Sequence, residues 1–171
     1  TVSAQKSKNS VINVSSLEGL NSAIELGAAD VIQLTDDIVL DIGESLTISA
    51  GLEAVLDLNG NRIVTSDPSV VPVVVEEGGC LTMFNGTLVY ENELGISSDT
   101  HAMQATGAEL VLSNVDLSGY KTGLRISDNS GTQGKDSAVR LVGCDWTTSG
   151  CTMLVYGNGI SSAQNTQLII E

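Results

Sequence analysis

Asp116 and Asp145 lie 29 residues apart in a chain whose apolar segments recur at that spacing. Carboxylates in one column of stacked strands sit about 5 Å apart and repel unless a cation bridges them. Ca²⁺ would relieve that repulsion. Two carboxylates supply fewer oxygens than Ca²⁺ normally takes, so the pair is a weak metal candidate. The plainer expectation is that each caps a local turn and points into water. His101 is the only histidine. Alone it makes no metal cluster, although it could join carboxylates. It is expected at the edge of a strand over Ala102–Ala105, in contact with solvent. Arg125 and Asp128 read first as an exposed ion pair of little energy. Cys80, Cys144 and Cys151 are odd in number and lack CxxC spacing. They are expected to be unpaired small apolar residues.

These groups need a scaffold, and its signature is a repeat. The triplets Ile32-Gln33-Leu34, Leu56-Asp57-Leu58, Leu81-Thr82-Met83, Leu110-Val111-Leu112, Val139-Arg140-Leu141 and Leu168-Ile169-Ile170 begin 24, 25, 29, 29 and 29 residues apart. Their outer members are all apolar, which is the period-2 pattern of a strand with one buried face. Asp36, Gly60, Asn85, Asn114 and Gly143 follow each anchor by four residues. All five are types that tolerate left-handed backbone, so they mark a turn column. Val39, Ile63, Leu88, Leu117 and Trp146 form a further apolar column, seven residues past the anchors. Gly123-Leu124-Arg125-Ile126 stands to Leu110 as Thr152-Met153-Leu154-Val155 stands to Val139, which adds another strand per repeat. Periods of this size mean a solenoid.

The spacing therefore predicts an all-β chain: a right-handed single-stranded parallel β-helix of about five to six rungs with a short N-terminal capping helix. Residues 1–14 read as an arm. Residues 15–27 read as the cap, with Ser15 opening a capping box to Glu18 and Gly27 ending the helix. Leu17, Leu20, Ala23 and Ile24 line its apolar face. Residues 28–171 read as the solenoid, which is expected to continue past Glu171. The last strand would then pair with further chain or with another subunit.

Composition narrows the partners. Hydrophobic residues reach 42% with only 3% aromatics, which suits thin β-branched strands rather than disorder. A net charge of −14 argues against nucleic acid and anionic lipid. The longest apolar run, near Val70–Val75, is too short for membrane insertion. No leader is visible ahead of Thr1, and one is expected to have been removed. Segments 65–72, 90–100, 128–136 and 158–165 read as polar loops on the solenoid flank, where binding surfaces are commonly built. Tyr90, Tyr120, Trp146 and Tyr156 are candidate sugar-stacking rings, although Trp146 sits in an apolar column.

The stretch VIQLTDDIVLDIGESLTISAGLEAVLDLNGNRIV, Val31 to Val64, resembles the opening of pectate-lyase-like right-handed β-helix domains of bacterial secreted and surface proteins. The resemblance is close over roughly the first third of the chain and rests on period alone beyond it. It implies a fold shared by pectin lyases, polysaccharide hydrolases, phage tailspikes and non-catalytic adhesins. A lyase of that kind implies calcium-binding carboxylates beside a basic residue that abstracts a proton. The nearest match is Arg125 with Asp128, plus Asp99 and His101 one rung earlier. The arginine-proline, WxDH and paired-aspartate motifs of the enzymes are absent. The expectation is thus a non-enzymatic secreted or cell-surface module. It would act as a rigid spacer or adhesin that binds a polysaccharide or surface glycan through Asp99, His101, Arg125, Asp128 and Tyr156, with no cofactor. The alternative is a polysaccharide lyase or hydrolase with an atypical site, for which Ca²⁺ would be the cofactor.

Overall fold

A computed structural model describes residues 10–91, 100–127, 137–156 and 167–171. These residues form a parallel β-solenoid of about four turns, with one short helix among them. Every strand pairing is parallel. One nine-stranded sheet has two limbs. The first limb stacks β1 (Val11–Val14), β2 (Val31–Leu34), β5 (Glu53–Asp57), the front of β8 (Cys80–Tyr90), the front of β10 (Glu109–Ser118), β12 (Ala138–Val142) and β14 (Gln167–Ile170). The second limb stacks β3 (Ile38–Leu40), β6 (Arg62–Thr65) and the back of β8 and β10. A second sheet of five strands stacks β4 (Leu46–Ile48), β7 (Val73–Val75), β9 (His101–Thr106), β11 (Thr122–Ser127) and β13 (Cys151–Tyr156).

Between the two limbs the chain turns without leaving the sheet, because one residue adopts left-handed backbone. Asn85 has φ 59°, Asn114 52° and Gly143 60°. A Cβ on Gly143 would lie 2.7 Å from Asn114 Oδ1, which shows how closely the corners stack. The corner one turn earlier is longer. There Leu58-Asn59-Gly60-Asn61 carries φ 53° at Asn59 and 81° at Gly60. The Asn59 and Asn61 amides donate to Leu34 O at 3.2 and 3.1 Å. Asp36 does not share this conformation. Its Oδ1 accepts the Asp37 N–H at 2.9 Å instead, and the corner there needs no left-handed residue.

The inward columns form the core. Ile32, Leu56, Met83, Leu112 and Leu141 stack in one ladder, none more than 4% exposed. The triplet alignment is correct from Ile32 to Leu56 and from Leu81 onward, but it slips by two residues between Leu56 and Leu81. Leu56 pairs with Met83, and Ala54 pairs with Leu81. In the second limb Ile38, not Val39, pairs with Ile63. Val39 faces outward and is 67% exposed.

Helix α1 (Leu17–Leu26) buries Leu20, Ala23 and Ile24. Its N-cap is Ser16, one residue later than expected, with Oγ accepting the Gly19 N–H at 3.1 Å. Gly27 closes it at φ 54°. The supposed arm contains β1, in register with β2, so β1 and α1 form a turn of their own. In that turn the helix packs over β3 and β4, where further strands would otherwise lie. No helix among the described residues is long and apolar enough to cross a membrane.

Tyr90 and Tyr120 lie in the core, with ring centroids 5.8 Å apart. They are therefore not sugar platforms. The Tyr120 hydroxyl is buried without a hydrogen-bond partner. Burial, and secondarily Tyr90, raise its pKa well above the ordinary 10.0. The unfolded chain ionises near that ordinary value and the folded one does not. Stability must therefore fall as pH rises above about 10, by up to about 1.4 kcal/mol per pH unit for one proton. Tyr120→Phe removes both the orphaned hydroxyl and this titration. Urea melts at pH 8 and pH 11 should show the variant at least as stable as the parent at the lower pH, and more stable at the higher. An equal alkaline loss in both proteins would show that Tyr120 is not its source.

Candidate functional site

Of the expected binding residues, His101, Arg125 and Tyr156 lie on strands of the five-stranded sheet. Three ladders cross it. His101, Thr122 and Cys151 form the first; Val74, Gln104, Arg125 and Leu154 the second; Thr106, Ser127 and Tyr156 the third. The first and third ladders are five residues apart along the strands, roughly 16 Å. His101 and Tyr156 thus mark opposite ends of these strands, and Arg125 lies nearer the Tyr156 end. Asp99 and Asp128 lie outside the described residues, as do loops 128–136 and 158–165. The described members of the expected constellation, His101, Arg125 and Tyr156, stand at three different positions along the strands.

The second and third ladders carry a polar row. Gln104, Thr106, Arg125 and Ser127 are all half-buried on the outer side. Gln104 Nε2 donates to Thr106 Oγ1 at 3.3 Å, and the Thr106 and Ser127 hydroxyls lie 2.8 Å apart. Behind them the buried Ser137 hydroxyl donates to Ser127 O at 3.2 Å, fixing the end of β11. These hydroxyls and the amide were not singled out from sequence. Their signal was alternation: Gln104 and Thr106, then Arg125 and Ser127, each two apart on strands whose other face is apolar.

The remaining candidates have structural duties. Asp116 and Asp145 are neighbours in the stack, but Asp116 Oδ1 accepts the Asp145 N–H at 3.1 Å, and both are exposed. No group of three His, Cys, Asp or Glu side chains is placed to hold a metal among the described residues. None of the three cysteines forms a disulfide. Trp146 is half-buried against the core, with Nε1 donating to Val115 O at 2.9 Å.

An ion-pair ladder went unnoticed in the sequence. The Arg62 N–H and Nε donate to Asp37 at 2.7 and 2.9 Å, and Nη1 reaches Glu91 at 3.3 Å. It ties three successive turns of the second limb. The hydrogen bonds from the Arg62 backbone and side chain hold the Asp37 carboxyl below its ordinary value. Asp37 directly follows Asp36 of the turn column, and its carboxylate serves this stack.

Comparison with known families, curated proteins and solved structures finds no match to this chain. The parallel solenoid itself is what the structure shares with the family resemblance of residues 31–64.

Proposed function

We propose that this chain is a non-enzymatic, right-handed β-helix module of the pectate-lyase-like kind, secreted or displayed on a bacterial surface. It serves as a rigid spacer or adhesin that holds a glycan on the outer face of the five-stranded sheet. The observation carrying this reading is the ordered row of Gln104, Thr106, Arg125 and Ser127. Amide, hydroxyl and guanidinium groups fixed on rigid strands suit the hydroxyl-rich edge of a sugar. Support for binding over turnover comes from spacing. Acid–base chemistry needs its partners within hydrogen-bond reach, whereas the ladders of His101 and Arg125 lie three residues apart along the strands, roughly 10 Å.

Affinity electrophoresis through gels loaded with neutral and acidic polysaccharides tests the reading. Retardation by at least one polysaccharide is expected, weakened several-fold in Arg125→Gln and in Ser127→Val, with no release of reducing or unsaturated ends. Turnover lost in Arg125→Gln would make the lyase or hydrolase reading correct. Retardation unchanged in both variants would move the glycan off this face.

A further inference from the structure

Helix α1 closes one end of the solenoid by packing on β1 to β4, and its seat is narrow. Only Leu20, Ala23 and Ile24 are buried, while Leu26 is 80% exposed. Two clefts are bordered by Ile24. One of about 160 Å³ is lined by Asp30, Ile32, Glu53 and Ala54; the other, of about 200 Å³, by Ser45, Thr47 and Leu52.

Electrostatics weakens the seat further. The C-terminal end of a helix carries partial negative charge and is stabilised by cations. The last turn of α1 has no basic residue, and it contains Glu25. Asp30 and Glu53 line the cleft at the same end. Residues 10–91 as a whole hold thirteen carboxylates against one guanidinium, that of Arg62.

We propose that α1 is a releasable latch: it lifts from β3 and β4 as a unit while the solenoid behind it stays folded, and the negative charge at its C-terminal end sets how often it opens. Segments held by few buried contacts open well below the global unfolding energy. Lifting uncovers the edges of β3 and β4, the outermost strands of their stacks. Bare strand edges offer main-chain donors and acceptors to an incoming strand.

Hydrogen exchange on the full chain tests this. At low salt, amides from Leu20 to Gly27 should exchange at least about tenfold faster than those of β8 and β10. Salt of about 1 M, which screens surface charge to a few ångströms, should slow α1 exchange relative to β8 and β10. Glu25→Lys should slow it by roughly three- to tenfold, since Glu25 is exposed and the change reverses its charge against the helix dipole. Exchange of α1 in step with β8 and β10 would overturn the proposal, because the helix would then open only with the whole fold. A fast-exchanging α1 indifferent to both salt and Glu25→Lys would also overturn it.

Discussion

Leu112→Ala will cost about 2–5 kcal/mol, in the upper part of that range. Leu112 is fully buried in the inward column, with Met83 beside it in one neighbouring strand and Leu141 in the other. The cost of a truncation depends on how far its surroundings can collapse. Here the backbone ladder fixes neighbouring strands about 4.8 Å apart, so Met83 and Leu141 cannot close the gap without breaking main-chain hydrogen bonds. Most of the leucine volume then remains as cavity. Val111→Ala, one residue along the same strand but facing outward, should cost under about 1 kcal/mol. Urea denaturation followed by circular dichroism compares the two. Equal losses would mean that the columns are not the source of stability. Because turns of a solenoid can unfold separately, the slope of each transition must be compared as well as its midpoint.

The period that exposed this column also explains where the sequence misled. A strand slipped by one residue turns its apolar set outward, which the pattern forbids. A slip by two keeps every side chain on the same face. Ala54, Leu56 and Leu58 are all buried at alternate positions, so hydrophobicity alone cannot decide which of them sits beside Leu81. The corner decides it: Leu58 to Asn61 holds more chain than the corner at Asn85, and this length absorbs the offset. At Ile38-Val39-Leu40 the pattern does not alternate at all, and Val39 was taken as buried in place of Ile38. The adjacent serines 15 and 16 left the helix start ambiguous in the same way. Only the backbone at Ser16, φ −148° and ψ 157°, selects the cap.

The candidate site was less legible than the core because its ingredients are common surface residues. Gln104, Thr106 and Ser127 gain meaning only once β9 and β11 are in register, since neither strand alone shows that the two hydroxyls meet. Charged residues drew attention first, but Asp116 serves a backbone N–H and Asp37 serves Arg62. Charge is conspicuous in a sequence, whereas the inter-turn contact that employs it is not.

Gly86→Ala should destabilise the fold by about 3 kcal/mol or more, for a reason unrelated to glycine's backbone freedom. Gly86 is absent from the residues with positive φ, so its conformation is open to any residue. What it lacks is room. A Cβ there would lie 2.3 Å from Leu58 Cβ and 2.6 Å from Asn61 O, and neither atom can swing aside as a side-chain tip can. The long corner of the preceding turn pushes Leu58 into the space that a side chain at Gly86 would need. One turn later the ladder partner of Gly86 is Val115, which is itself fully buried. Overpacking of this kind must displace the corner, and the loss of unfolded-state freedom on going to Ala recovers only about 0.4–1 kcal/mol. Gly60 makes the contrast. A Cβ there meets nothing within 4 Å, but its φ is 81°, so Gly60→Ala should cost about 1–2 kcal/mol and Gly60→Asn less. At Gly86 asparagine should do no better than alanine. Combining Gly86→Ala with Leu58→Gly should cost less than the two single losses added, because loss of the whole side chain removes the contacts with Leu58 Cβ and Cδ1. Strict additivity of that pair in denaturant melts would sink the steric account and leave Gly86 an ordinary strand glycine.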